Sequence, residues 1–107
     1  MPSRLDQIKN WEELAARCGY SPRRIARECN VSMRQLRRYF QEQFGVSPKP
    51  WSDNLRLRGA TEHLMKGMAA KTVSADFDFK QPSHFTKFVK RLAWATPREY
   101  RDHGRNG

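Results

Sequence analysis

The sequence is poor in cysteine and has no long apolar run. Two lone cysteines, Cys18 and Cys29, do not make the multiple-disulfide framework that stabilises small secreted domains. The longest apolar runs are a few residues, too short for a membrane-spanning helix, and the first residues lack the apolar core of a signal peptide. We therefore expect a cytoplasmic protein that does not enter the membrane.

The sequence also lacks the patterns that carry catalytic or metal chemistry. Its three histidines, His63, His84 and His103, lie far apart and are not at zinc-ligand spacing with either cysteine. It has no glycine-rich phosphate loop, no GxGxxG motif and no Ser/His/Asp or Cys/His arrangement. We predict no metal, no cofactor and no enzymatic activity.

Acidic residues are scarce relative to basic ones. The 107 residues include 21 Lys and Arg against 11 Asp and Glu, a formal net charge of +10. This length fits one domain, or two small subdomains that share a core, without room for a large substrate cleft. A small, folded and strongly basic protein most often binds nucleic acid, but an acidic protein or a membrane surface would also suit the charge.

The apolar pattern is helical throughout, because no stretch shows the period-two alternation of a strand. An apolar stripe from Leu5 to Cys18 ends at Gly19, and Ser21-Pro22 and Ser32 are typical helix starts. Gly45 and Gly67 are typical helix ends. About seven helices are expected. The first contains the apolar stripe, and the others should cover residues 22–29, 33–44, 48–68, 72–77, 83–92 and 97–102. The inward residues should include Tyr39, Phe40, Phe44 and Met65, and all three tryptophans should anchor the packing.

Two stretches of the chain resemble each other. Leu36, Arg38, Phe40, Pro48 and Trp51 correspond to Phe85, Lys87, Val89, Pro97 and Tyr100 at a constant offset of 49 residues. Each stretch follows a short helix and a tight turn. A short helix, a tight turn and a longer helix with a basic outer face form the helix-turn-helix pattern, and two in register make the signal specific.

At these positions the sequence resembles the AraC/XylS family of bacterial transcription regulators. The residues that carry the resemblance are Ile25-Ala26, Ser32, Leu36, Arg38, Phe40, Gly45-Val46-Ser47-Pro48, Trp51, Arg56-Leu57, Ala60, Leu64-Met65, Phe79, Gln81 to Phe85, Phe88 to Arg91 and Thr96 to Arg101. The sequence departs from the family at four positions, having Asp78 and Trp94 where glycine is usual, Ser74 where alanine is usual and Val89 where phenylalanine is usual. Asp reaches the left-handed conformation of a tight turn more readily than Trp does.

The resemblance implies an all-α fold of two helix-turn-helix subdomains, each a homeodomain-like three-helix unit, joined by a long linker helix. The first subdomain would cover residues 1–47 with its reading helix at about 33–44, and the linker residues 48–68. The second would cover residues 69–107 with its reading helix at about 83–92. Family members usually carry a separate ligand-binding or dimerisation domain. The chain is therefore expected to be a stand-alone regulator or the DNA-reading part of a longer one.

The candidate DNA-binding residues lie on the two reading helices, whose N-terminal residues contact base edges in this motif. Arginine pairs with guanine and glutamine with adenine, although basic residues on such a helix can equally be its solvated face. The resemblance favours Arg34, Arg37 and Arg38 for bases or adjacent phosphates. The full set is Met33, Arg34, Gln35, Arg37 and Arg38 in the first motif, and Gln81, Pro82, Ser83, His84, Thr86, Lys87 and Lys90 in the second.

These observations favour a sequence-specific, double-stranded DNA-binding transcription regulator. A linker of about 20 residues is roughly 30 Å long, close to one 34 Å turn of DNA. One monomer should therefore read two unlike half-sites in successive major grooves, and the resemblance implies contact with RNA polymerase. Two alternatives remain: an interaction module that keeps the fold without specific DNA binding, and a basic protein that binds membranes or acidic partners non-specifically.

Overall fold

The computed structural model describes residues 4–106, with side chains through residue 102. Over this range the chain has seven α-helices, one short 3₁₀ helix at Arg4–Gln7 and no strand, which confirms the all-α prediction. The helices are α1 (Trp11–Arg17), α2 (Pro22–Glu28), α3 (Met33–Phe44), α4 (Pro48–Met65), α5 (Ala70–Asp76), α6 (Pro82–Ala93) and α7 (Pro97–Asn106).

The structure divides the first apolar stripe between two elements. The 3₁₀ helix ends at Gln7, and α1 begins only at Trp11. Asn10 is the reason for the new start, because its Oδ1 accepts a hydrogen bond from the Glu13 N–H at 3.0 Å. An N-cap of this kind satisfies one of the four N–H groups that a helix start leaves without a partner.

The other predicted helices are present with small shifts in their ends. α4 ends at Met65 rather than near residue 68, and α7 continues to Asn106 rather than ending near residue 102. α6 begins at Pro82, one residue before the predicted start at residue 83, and Gln81 is its N-cap. Proline is favourable at the first helical position because its missing N–H has no partner there.

The internal repeat is confirmed by the helix bounds. α3 and α6 are related by a shift of 49 residues at both ends, and α4 and α7 begin 49 residues apart. α2 and α5 are related by a shift of 48, so the second turn is one residue longer than the first. The turns use the same backbone hydrogen bond, from Val31 N–H to Ala26 O and from Phe79 N–H to Ser74 O, both at 3.0 Å.

The chain divides into two units, Met1–Leu55 and Arg56–Gly107, with the boundary inside α4. The core of the first unit consists of Leu5, Leu14, Ala15, Cys18, Ile25, Ala26, Leu36 and Phe40. The buried apolar residues of the second are Ala60, Leu64, Val73, Phe77, Phe85, Phe88 and Val89. Each motif therefore has apolar residues of its own that fix its reading helix. The three-part division at residues 47 and 68 stays a prediction.

Three aromatic or apolar residues that the pattern placed inward are exposed. Phe44 and Met65 each keep 42% of their surface accessible, and Trp94 keeps 92%. Phe44 still packs at the edge of an aromatic group, with its ring 4.9 Å from that of Phe40. The prediction that all three tryptophans anchor the packing is wrong for Trp94.

Gly59, in the middle of α4, is required by packing. A Cβ at this position would lie 2.7 Å from Cε1 of Phe77, whose ring is buried and packs edge-on against His63. Substitution of alanine for an exposed helical glycine normally gains about 1 kcal/mol. Overpacking of a buried site costs about 1–3 kcal/mol, which outweighs that gain.

We predict that Gly59→Ala lowers the free energy of unfolding by about 1 kcal/mol, the difference between these two effects. Urea unfolding followed by circular dichroism measures it. The double variant Gly59→Ala/Phe77→Leu should recover part of the loss, because the shorter side chain removes the ring atom that clashes. A Gly59→Ala protein more stable than wild type would contradict this packing.

Candidate nucleic-acid interface

The start of α3 is fixed by a reciprocal pair of hydrogen bonds. Ser32 Oγ accepts from the Gln35 N–H at 3.1 Å, and Gln35 Oε1 accepts from the Ser32 N–H at 2.8 Å. This capping box satisfies two backbone donors at the helix start. It holds the N-terminal turn of α3, the part that reads bases in a helix-turn-helix, in a defined conformation.

The buried side of α3 determines which residues face outward. Leu36 and Phe40 are both 0% exposed and belong to the core of the first unit. With these two residues directed inward, the three arginines Arg34, Arg37 and Arg38 are all exposed. The sequence-predicted arginines are thus brought to the outer surface of a single helix.

The charges of these arginines are uncompensated within the described part of the chain. Among the described residues, Arg34, Arg37 and Arg38 form no ion pair; the pairs Arg17–Glu28 at 3.6 Å, Lys49–Asp53 at 3.1 Å and Arg98–Asp102 at 4.0 Å all lie outside α3. A guanidinium without an internal carboxylate partner is available for a phosphate or a guanine edge.

Two other candidates in the first motif have structural roles. Met33 is half-buried and packs against the core of the first unit. The Gln35 carbonyl oxygen is engaged in the capping box, which leaves its amide N–H groups as the donors for a ligand. Arg34, Arg37 and Arg38 are therefore the stronger candidates of the first motif.

Tyr39 links α3 to the start of the chain. Its hydroxyl donates a hydrogen bond to Asp6 Oδ1 at 2.8 Å. Burial, together with this hydrogen bond and the negative charge of Asp6, raises the pKa of Tyr39 to about 12. The hydroxyl therefore remains a protonated donor at neutral pH, and its hydrogen bond links α3 to the 3₁₀ helix.

α6 presents the second candidate surface. Its inward residues Phe85, Phe88 and Val89 are buried. The exposed candidates are Gln81, Pro82, Ser83, His84, Lys87 and Lys90. Thr86 is half-buried and its Oγ1 donates to Pro82 O at 3.1 Å, so its hydroxyl proton is already used.

The turn before α6 is held by Arg56, a residue that composition and charge counting do not single out. Its Nε donates to Phe77 O and its Nη2 to Asp78 O, both at 2.9 Å. Its guanidinium also lies 3.7 Å from the centre of the Phe79 ring. Asp78 has φ +65°, and Arg56 thus fixes the left-handed turn that aims α6. The sequence signal for this role is that Arg56 is one of the residues that carry the family resemblance.

Comparison with known proteins identifies this arrangement. A family model described as a helix-turn-helix domain matches residues 25–103, which include both turns and the helices α3 and α6. The chain belongs to the AraC-type helix-turn-helix family. AraC-type proteins are DNA-binding transcription regulators, which confirms the family that the sequence resembles.

Individual AraC-type relatives agree with this assignment. The chain is 31% identical over 85 residues to the HTH-type transcriptional activator RhaS of Escherichia coli, covering 78% of this chain and 30% of the relative. It is 33% identical over 76 residues to the HTH-type transcriptional regulator MtrA of Neisseria gonorrhoeae, covering 70% of this chain and 25% of the relative. The chain thus spans less than a third of the length of these curated relatives.

A solved structure shares the AraC-type fold. It is a transcriptional regulator from Chromobacterium violaceum described by its AraC-type DNA-binding domain. The TM-score is 0.68 at 26% identity, over 86% of this chain and 88% of that one. Between residues 4 and 106, no helix of the present chain is long and apolar enough to cross a bilayer.

Proposed function

We propose that this chain is a sequence-specific transcription regulator that reads double-stranded DNA with α3 and α6. The observation that carries the proposal is the duplication of one arrangement, a left-handed turn followed by a helix with a buried apolar side and an exposed basic side. A helix of this kind fits the major groove, which distinguishes all four base pairs.

In the proposal, the two helices read unlike half-sites in successive major grooves. α3 offers three arginines, whereas α6 offers Gln81, Ser83, His84 and two lysines, so the bases preferred by each helix should differ. α4 has 18 residues, about 27 Å of helix, which is close to the 34 Å of one DNA turn. One copy of the chain carries both motifs, so a monomer suffices for an asymmetric site.

The proposal implies a cytoplasmic protein that acts on the bacterial chromosome. Contact with RNA polymerase, which the family resemblance suggests, would follow DNA binding and involve surfaces other than the base-reading ones. No ligand or cofactor is required for the DNA contact itself. In vitro transcription from a promoter carrying the selected site, with and without the protein, tests the polymerase part separately.

Selection from random duplexes followed by gel shift is the direct test. A regulator of this kind should enrich an asymmetric motif with two conserved blocks about 10 base pairs apart. Its affinity should fall with salt at a log–log slope of about −5 to −7, as for six to eight phosphate contacts. A fold that has lost operator binding would enrich no motif, and that result would overturn the proposal.

We predict that Arg37→Ala and Arg38→Ala each weaken binding to the selected site by about 1–3 kcal/mol if the arginine contacts a base. The loss should be accompanied by relaxed preference at one position of the site, measured by gel shift on a panel of single-base variants. Arg23→Ala is the matched control, because Arg23 is an exposed arginine on α2 of the same unit and its removal changes the charge equally.

An equal loss on every duplex, with a salt slope reduced by about one, would assign the arginine to a phosphate instead of a base. If Arg23→Ala weakens specific binding as much as Arg37→Ala and Arg38→Ala do, overall charge and not the outer face of α3 controls recognition.

A further inference from the structure

Trp94 is an exposed aromatic residue in an unfavourable backbone conformation. It follows the last residue of α6, has φ +59° and keeps 92% of its surface accessible. In the first motif the corresponding residue is Gly45, with φ +68°. A Cβ built on Gly45 meets nothing within 4 Å, so the backbone at this position directs a side chain into open space.

Neither feature of Trp94 contributes to folding. A left-handed backbone is costly for any residue other than glycine, asparagine or aspartate, and an exposed indole removes little apolar surface from water. Strained residues of this kind concentrate at functional sites.

Most charged residues near Trp94 along the chain are basic, and the acidic ones, Glu99 and Asp102, follow it on α7. Every charged residue from position 80 to position 98 is a lysine or an arginine. Lys90 and Arg91 lie in the last turn of α6, and the Trp94 N–H donates to Lys90 O at 3.1 Å. Arg98, near the start of α7, is paired with Asp102 only at 4.0 Å and keeps 88% of its side chain exposed. This charge favours an anionic ligand.

DNA is the anionic ligand that the position of Trp94 on α6 favours. The 12 residues of α6 make a helix about 18 Å long, whereas the major groove is about 12 Å wide. With the N-terminal residues of α6 at the base edges, its C-terminal end therefore reaches the sugar–phosphate wall of the groove. An indole matches that wall, because its faces are apolar and its Nε1–H is a donor for a phosphate oxygen.

We propose that Trp94 packs against the sugar–phosphate backbone at the edge of the second half-site. This inference rests on the proposed function, since it assumes that α6 enters a major groove. Trp94, which occupies the position of Gly45 in the first motif, would add an uncharged contact to the DNA interface. Such a contact strengthens binding without reading the sequence.

The variant Trp94→Gly tests the contact without endangering the fold, because glycine adopts a left-handed conformation readily. We expect it to unfold at the same or a higher urea concentration than wild type. It should bind the selected duplex on the order of tenfold more weakly, the effect of losing one hydrogen bond to a charged phosphate oxygen. The loss should be the same on all duplexes. The salt slope should not change, because an uncharged side chain releases no counterions.

Two comparisons sharpen this measurement. Trp94→Phe keeps an aromatic face but has no N–H donor, so it should bind with intermediate affinity. Lys90→Ala should also weaken binding, but with a salt slope reduced by about one. A reduced slope for Trp94→Gly would show that the substitution acts through neighbouring cations and would overturn the direct contact.

Acrylamide quenching of tryptophan fluorescence gives a second, independent readout. The quenchable component that is lost in Trp94→Gly belongs to Trp94, since Trp11 and Trp51 are half-buried. A saturating amount of the selected duplex should protect this component in the wild-type protein. An indole that remains quenchable on DNA, with unchanged affinity of Trp94→Gly, would overturn the inference and direct the search to an acidic protein partner.

Failure of this inference is distinguishable from failure of the proposed function. If the wild-type chain enriches no motif, the DNA-reading function itself is wrong. If the wild-type chain selects a site that Trp94→Gly binds equally well, only the role of Trp94 is wrong.

Discussion

Replacement of Phe40 by alanine is expected to lower the free energy of unfolding by about 3–5 kcal/mol, the range for a fully buried phenylalanine. Phe40 is 0% exposed, and its ring centre lies 5.0 Å from those of both Trp11 and Trp51. Both contacts are edge-to-face, the favourable geometry for aromatic pairs. Alanine would leave a cavity beneath α3, between the reading helix and the aromatic residues of the first unit.

This loss is a large fraction of the total stability of a domain of this size, about 5–15 kcal/mol. Urea unfolding at neutral pH, followed by circular dichroism, measures it. Phe44→Ala is the matched control, because Phe44 lies one turn further along the same helix and is 42% exposed. We expect its cost to be less than half that of Phe40→Ala. Equal costs for the two variants would contradict the burial of Phe40.

Replacement of Arg56 by methionine is expected to lower the free energy of unfolding by about 2–4 kcal/mol. Methionine retains much of the packing volume but cannot donate the two hydrogen bonds to Phe77 O and Asp78 O. Loss of the charged donor costs about 1–3 kcal/mol at the Phe77 carbonyl, whereas the exposed Asp78 carbonyl can bind water instead. Loss of the cation–π contact with the Phe79 ring costs about 0.5–2 kcal/mol more. The Phe77 carbonyl is partly buried, so it should account for the larger share.

Arg56→Met should also weaken DNA binding in the folded protein. Arg56 holds the turn at Asp78, and that turn sets the direction of α6. In footprinting at a temperature where the variant is fully folded, protection should be lost first at the half-site that we propose α6 reads. Arg56→Lys keeps the charge without the two-pronged donor geometry and should lie between wild type and Arg56→Met. Equal weakening at both half-sites would contradict a role specific to the second motif.

Helix starts and ends were largely predictable, because their signals are local. Ser21-Pro22, Ser32 and Gly45 fix helix ends through contacts within three or four residues, and the structure confirms all three. The error at the first stripe is of the same local kind. Its apolar spacing continues through residues 8–10, but the Asn10 side chain caps a new helix there.

The exposed arginines of α3 were also predictable, since a single apolar stripe identifies the opposite face. Met33 was not, because it lies at the margin of that stripe and only the neighbouring core shows that it packs inward. Nor could the sequence reveal that Gln35 uses its carbonyl oxygen for the helix cap. These distinctions separate three strong candidates from two weaker ones.

The sequence by itself determined the scarcity of disulfide-forming and catalytic residues, the helical pattern, the 49-residue repeat and the family. Each depends on residue type and spacing along the chain. Only the tertiary structure showed that Gly59 makes room for Phe77, that Arg56 holds the second turn and that Trp94 is exposed. The roles of Gly59 and Arg56 depend on contacts with residues 18 to 22 positions further along the chain. The exposure of Trp94 depends on the absence of any neighbour, in the described part of the chain, that covers it. Spacing within one helix carries no information about them.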